Sequence, residues 1–209
     1  MNPVLSFPEG AKPSGLSQLP LAFIVPGRLG VASRSTQVKD LTEVFNSLGM
    51  ATLSVDGQEM KQVFTVFEKM RDSAAIDCRR ILLVGFAEGA DQIARAYHEL
   101  YAIEPPWGIV LLSSTVGPMY LNNLACPYLL IHGERDAQFQ TFPYERIRAA
   151  TRHHQMRYGD LTTCYQVSDL NSELGSNQGT GRLDARVLEQ VSFWLRKLQG
   201  EERAPKTAA

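Results

Sequence analysis

The stretch that most constrains this chain is Arg80-Ile-Leu-Leu-Val-Gly-Phe-Ala-Glu-Gly-Ala-Asp-Gln-Ile-Ala-Arg-Ala-Tyr-His-Glu-Leu100. Ile81 to Val84 are four consecutive apolar residues, the pattern of a strand buried on both faces of a parallel sheet. Gly85 and Gly89 let a strand and a helix approach closely, and the residue between them, Ala87, is forced toward a strained backbone. Past the turn, Ala90, Ile93, Ala94, Tyr97 and Leu100 recur at helical spacing and form one apolar stripe. Strand, turn and helix read as a single unit to which the flanking segments must conform.

Those segments alternate in period. Leu19 to Val25 reads as a strand, broken by Pro26-Gly-Arg-Leu-Gly30. Ser35 can cap a helix carrying Val38, Leu41, Val44, Phe45 and Leu48, which Gly49 ends. Met50 to Val55 is a strand closed by Asp56-Gly57, and Gln58 to about Ile76 reads as a helix with Met60, Val63, Phe64, Phe67 and Met70 inward. Beyond the central unit, Pro105-Pro106-Trp107 leads into a strand over Gly108 to Leu112. Thr115 to Leu124 reads as a loop with a short helix, and Cys126 to His132 as a strand. Phe142-Pro143 opens a helix to about Gln155, Thr162 to Val167 is a further strand, and Leu183 to Leu198 is the last helix. This alternation predicts an α/β fold: a three-layer αβα sandwich on a mainly parallel sheet of about six strands, with Arg80 to Val84 in its interior. The expected organisation is a loose Pro, Gly and Ser-rich arm over 1–18 with room for an edge strand, a single domain over 19–199, and a polar, disordered tail over 200–209.

The Gly85-Phe-Ala-Glu-Gly89 turn, set between strand and helix, resembles the Gly-x-Ser-x-Gly nucleophile elbow of the α/β-hydrolase superfamily, in particular its small dienelactone-hydrolase and esterase-like members. A second match in register is Pro127-Tyr-Leu-Leu-Ile-His-Gly133 followed by Asp136, which resembles that family's penultimate strand and triad acid. The resemblance implies an α/β-hydrolase sheet, a nucleophile position at Ala87 that holds no nucleophile, and Asp136 as the acid that would fix the tautomer of a histidine. Asp136 reads equally well as a cap of the loop after its strand. The loop after the first strand supplies an oxyanion-hole amide in this family. Here Pro26 has no N–H, leaving Gly27, Arg28 and Leu29. The family's histidine is implied in the loop after Thr162 to Val167, but Ser168 to Thr180 contains none. The histidines present, His98, His132, His153 and His154, read as structural or solvated.

Three functional readings follow from this combination. The first is a degenerate, non-hydrolytic member that binds a small molecule or a partner protein. The second is a serine hydrolase whose serine is replaced at position 87. The third is a cyclase or isomerase using carboxylates such as Asp136, Asp169, Glu173 or Glu88 as acid and base. A helix N-terminus at Glu88 together with Arg28, and Arg34 nearby, favours an anionic ligand, with Gly27, Arg28, Leu29, Ala87, Glu88 and Asp169 as its expected contacts. Ser113 and Ser114 end a strand where ligands bind in open α/β sheets, and read as turn caps or ligand contacts. A homodimer or a protein partner is an alternative occupant. The formal net charge of −1 and pI near 6.4 argue against nucleic acid. Neither a membrane span nor a signal peptide is visible, so the expectation is a cytoplasmic protein. Cys78, Cys126 and Cys164 are odd in number and without metal-binding spacing, so they read as free thiols, with no metal and no cofactor expected.

Overall fold

The computed structural model describes residues 3–11, 18–27, 36–55, 60–137, 144–175 and 181–200. Its elements in chain order are β1 (Val4–Ser6), β2 (Leu19–Val25), α1 (Thr36–Ser47), β3 (Ala51–Ser54), α2 (Met60–Arg71), β4 (Ile76–Phe86), α3 (Glu88–Arg95) and α4 (Tyr97–Ile103). They continue with β5 (Gly108–Leu112), α5 (Pro118–Asn122), β6 (Tyr128–Gly133), α6 (Tyr144–Tyr158), β7 (Thr163–Val167) and α7 (Ala185–Gln199). The strands form one sheet in the order β1-β3-β2-β4-β5-β6-β7, and every pairing is parallel except that of β1 with β3. This is the expected three-layer αβα sandwich. β4 lies fourth of the seven strands, with its apolar run paired on both sides. The N-terminal arm contributes the antiparallel edge strand β1, with Val4 opposite Ser54.

Two apolar layers, one on each face, hold the sheet. On one face Phe23, Leu53, Ile81, Leu83, Leu111 and Leu130 pack under α2, α3, α4, α5 and α6, through residues such as Phe67, Ile93, Leu121 and Ile147. On the other, Ala22, Ile24, Leu82, Val84, Leu112 and Ile131 pack under Leu41 and Phe45 of α1 and Val187, Val191 and Trp194 of α7. The alternation of faces along each strand is the period-two side-chain geometry of a sheet, here apolar on both sides because both are covered.

Three boundaries differ from the sequence reading. The helix expected to run to about Ile76 ends at Arg71, where Arg71 Nε donates to Asp72 Oδ1 at 2.8 Å, and Ile76 is instead the first residue of β4, opposite Leu19. β4 therefore begins with polar residues: Asp77 accepts the amide of Arg79 at 3.1 Å and Arg80 Nε at 2.6 Å, satisfying that end of the strand from its own side chain. The helix after the turn is in two pieces meeting at Ala96, although Ile93, Ala94, Tyr97 and Leu100 stay buried along one stripe. Ser35, Asp56-Gly57, Phe142-Pro143 and the tail from 201 lie outside the described residues. The three cysteines are free thiols, and burial pushes those of Cys126 and Cys164 up to about 12.

The central unit is locked by backbone contact. A Cβ on Gly89 would stand 2.1 Å from the Val25 carbonyl oxygen, and one on Gly85 would stand 2.3 Å from Ala90 Cα. Both neighbours are main chain and cannot turn aside. Gly89→Ala is therefore expected to destabilise the protein by about 3 kcal/mol or more, read as a lower urea midpoint. An unchanged midpoint would contradict the packing described.

Candidate functional site

Ala87 is the apex of the turn from β4 to α3, with φ 49° and ψ −120°, a backbone conformation that L side chains rarely adopt. Its neighbours hold it there. The Ala87 amide donates to Leu112 O at 2.7 Å, tying the apex to the end of β5, and its carbonyl accepts the amides of Ala90 at 3.0 Å and Asp91 at 3.2 Å as α3 begins. Gly27 lies against the same turn: a Cβ there would stand 3.0 Å from the Glu88 amide nitrogen and 3.2 Å from Ala87 Cβ. Gly27, Ala87 and Glu88 are thus brought together, while Arg28, Leu29 and Arg34 lie outside the described residues. The Ala87 amide is taken by Leu112 and is not available to a ligand.

The exits of β5, β6 and β7 follow along the same edge of the sheet. Ser114 Oγ donates to Asp91 Oδ1 at 2.7 Å, the Thr115 amide donates to the same oxygen at 2.7 Å, and Thr115 Oγ1 donates to Asp91 Oδ2. Ser114 is thus the turn cap the sequence suggested, and Asp91 is the partner it did not reveal. Ser113 differs. Its φ is 52°, its amide donates to Ile131 O at 2.8 Å, and its hydroxyl is buried without a hydrogen-bond partner among the described residues.

Asp136 is 3% exposed, three residues past the end of β6, with its amide on Gly133 O at 3.2 Å. β6 is two strands from β4, roughly 10 Å across the sheet. The segments after β6 and β7 are clasped together. Glu134 N donates to Val167 O at 2.9 Å and Arg135 N to Leu170 O at 2.8 Å, and a Cβ on Gly133 would stand 2.2 Å from Leu170 O. Asp169, at φ 64°, belongs to this clasp: Arg135 Nη2 donates to its Oδ1 at 2.6 Å in an exposed ion pair. Its carboxylate is thus paired with Arg135 at the surface. Glu173 donates its own amide to Asn171 Oδ1 at 3.0 Å, and its carbonyl accepts Gln37 Nε2 at 3.0 Å.

The histidines are dispersed. His98 on α4 and His153 on α6 are exposed. His154 is buried, with Nε2 donating to Leu124 O at 2.8 Å. Its Nδ1 therefore accepts from Thr162 Oγ1 at 2.9 Å, the arrangement of a neutral ring, and burial holds its pKa below the ordinary value. His132 is fully buried in β6, its ring 5.0 Å from that of Tyr144, and desolvation pushes it down to about 4. Among the described residues no group of three or more His, Cys, Asp and Glu is placed to hold a metal, and no helix is long and apolar enough to cross a membrane.

No protein-family model and no curated protein matches the chain. Solved structures do. Est1E from Butyrivibrio proteoclasticus superposes with a TM-score of 0.69 at 14% identity, over 95% of this chain and 94% of that one. Thermogutta terrifontis esterase 2, in a form phosphorylated by paraoxon, gives 0.66 at 15% identity over 94% and 88%. An alpha-beta serine hydrolase homologue from Coxiella burnetii gives 0.59 at 18% identity over 94% and 90%. The chain has the fold of these esterases and serine hydrolases, the α/β-hydrolase fold.

Two measurements check the site as described. Glycine adopts φ 49° without the side-chain clash, so Ala87→Gly is expected to stabilise the protein by about 1 kcal/mol after the entropy glycine adds to the unfolded chain. A loss of stability would show that the apex is not strained. His132 takes up a proton near its ordinary pKa of about 6.5 when unfolded but only near 4 when folded. Its contribution to stability is therefore complete above about pH 6.5 and declines as pH falls toward 4, with a slope of up to about 1.4 kcal/mol per pH unit. Urea unfolding of wild type and His132→Asn across this window should show a shallower decline in the variant.

Proposed function

We propose that this α/β-hydrolase-fold chain is a non-hydrolytic binding protein, a pseudo-hydrolase that holds a small carboxylate-bearing molecule over the elbow without cleaving it. The observation that carries this reading is Ala87 itself, held at φ 49° at the head of α3 with a methyl group where a nucleophile would stand. The absence of histidine from Ser168 to Thr180 supports it independently, because a hydroxyl without a base to take its proton is a poor nucleophile. The degenerate triad then consists of Asp136 alone. An anion is favoured because α3 directs its N-terminus at this end of the sheet; of the two first-turn acids that oppose an anion, Glu88 and Asp91, Asp91 is engaged by Ser114 and Thr115. Arg28 and Arg34 of the following segment add two positive charges in sequence. Est1E has been solved with ferulic acid bound, which makes this aromatic carboxylic acid the probe of choice.

The reading makes a joint expectation about reactivity and binding. Paraoxon, which phosphorylates the Thermogutta esterase, should leave no adduct on this protein by intact mass. Ala87→Ser should hydrolyse p-nitrophenyl acetate within about tenfold of the wild-type background, since no base is placed to activate it. Ferulate should raise the thermal midpoint, and Arg28→Ala should reduce that rise. A paraoxon adduct on the wild type, or a fast esterase in Ala87→Ser, would replace this reading with that of a serine hydrolase altered at one position.

A further inference from the structure

We propose that the groove between α5 and α6 is a second binding site, for a small molecule that joins an oxyanion, carboxylate or phosphate, to a flat apolar body. The groove has a volume of about 370 Å³ and is lined by Pro118, Asn122, Arg146, Ala149, Ala150 and His153. None of these residues comes from the turn between β4 and α3, so the inference stands apart from the elbow reading. The volume falls within the roughly 300 to 1,000 Å³ of small-molecule sites.

The lining follows from helical spacing. On α6, Arg146 and His153 are seven residues apart, two turns along one stripe, with Ala149 and Ala150 between them. The alanines leave the floor low and apolar, while the residues on either side rise as polar walls. Pro118 and Asn122, four residues apart on α5, form the facing side. Among the described residues no carboxylate lines the groove, which disfavours a cation, and its polar groups are a guanidinium, an imidazole and an amide, all able to donate to an oxyanion.

Arg146 is the decisive group. α6 carries four arginines against one glutamate in a chain whose formal net charge is −1. Two of the four are engaged within the helix: Arg148 pairs with Glu145 at 3.7 Å and lies over the Tyr144 ring, and Arg157 lies over the Tyr158 ring. Among the described residues Arg146 has no ion pair, hydrogen bond or ring contact. Its planar fork is available for a bidentate contact with carboxylate or phosphate, and the apolar remainder of the ligand would lie on Ala149, Ala150 and Pro118.

The test is titration of the ¹⁵N-labelled full chain with sodium benzoate and with phenyl phosphate, using benzyl alcohol as the uncharged counterpart. Saturable amide shifts are expected at Asn122, Ala149 and Ala150 with Kd on the order of 1 mM, as for a small, partly exposed ligand. Arg146→Ala should weaken binding at least about fivefold, whereas Arg152→Ala, which removes an α6 arginine outside the groove, should leave it unchanged. Tighter binding of one probe identifies the preferred oxyanion. Shifts confined to Glu88 and Gly89 would place binding at the elbow and overturn the groove. So would equal weakening by the two variants, equal binding of benzyl alcohol, or no saturable shift at the groove amides. Because the readout is local, failure here leaves the elbow reading intact, and the reverse also holds.

Discussion

The close approach of main chain to main chain around the β4–α3 turn is the constraint on which the rest of this structure depends. Gly85 admits Ala90, Gly89 admits the carbonyl of Val25, and Gly27 admits the Glu88 amide, so that β2, β4 and α3 converge with no side chain between them. With these contacts made, the Ala87 backbone has little freedom left. It is tied to Leu112 through its amide and to the first turn of α3 through its carbonyl. The apolar layers on both faces of the sheet then fix the direction in which α3 departs. Position at the apex is thus inherited from the scaffold, and only chemistry is left to the side chain.

The same device recurs at the exits of β6 and β7. Gly133 admits the Leu170 carbonyl, and the Glu134 and Arg135 amides complete the join. Further along, the buried carboxylate of Asp40 accepts Arg182 Nε at 3.0 Å, Arg182 Nη2 at 2.8 Å and the Leu183 amide at 2.9 Å, clamping the approach to α7 onto α1. Between these ties Leu170 and Leu174 are buried, and Gly175 bridges to Leu183. Where the family resemblance implies a histidine, this chain places leucines that anchor the segment in the core beneath α7.

The fold was largely legible because its strands are apolar runs separated by glycine and proline, and periodicity reads such runs well. The amino-terminal half of β4 was not legible. Ile76-Asp-Cys-Arg-Arg has no strand pattern, and it becomes a strand only because Leu19 offers it a partner and Asp77 satisfies its polar groups. At the site, the close approach at Gly85 and Gly89 was readable from motif spacing. Asp91 was not, since its partners Ser114 and Thr115 are more than twenty residues away and meet it only through the parallel pairing of β4 with β5. The ion pair that occupies Asp169 was hidden for the same reason: it joins the exits of two strands distant in sequence. Long-range pairing of polar side chains leaves no local trace.

Strain at the apex carries the last step. A non-glycine residue at φ 49° costs on the order of 1 to 3 kcal/mol, a sizeable share of the roughly 5 to 15 kcal/mol that holds a domain folded. Ala87 bears that cost although its side chain offers no hydrogen bond or charge in return. The conformation is therefore imposed by the surrounding contacts, and would be the same for any residue placed there. A serine at this position would have its hydroxyl held in the same place by the same contacts. Geometry and side-chain chemistry are separable at this turn, because the contacts that hold the apex are made by main chain and not by the Ala87 side chain.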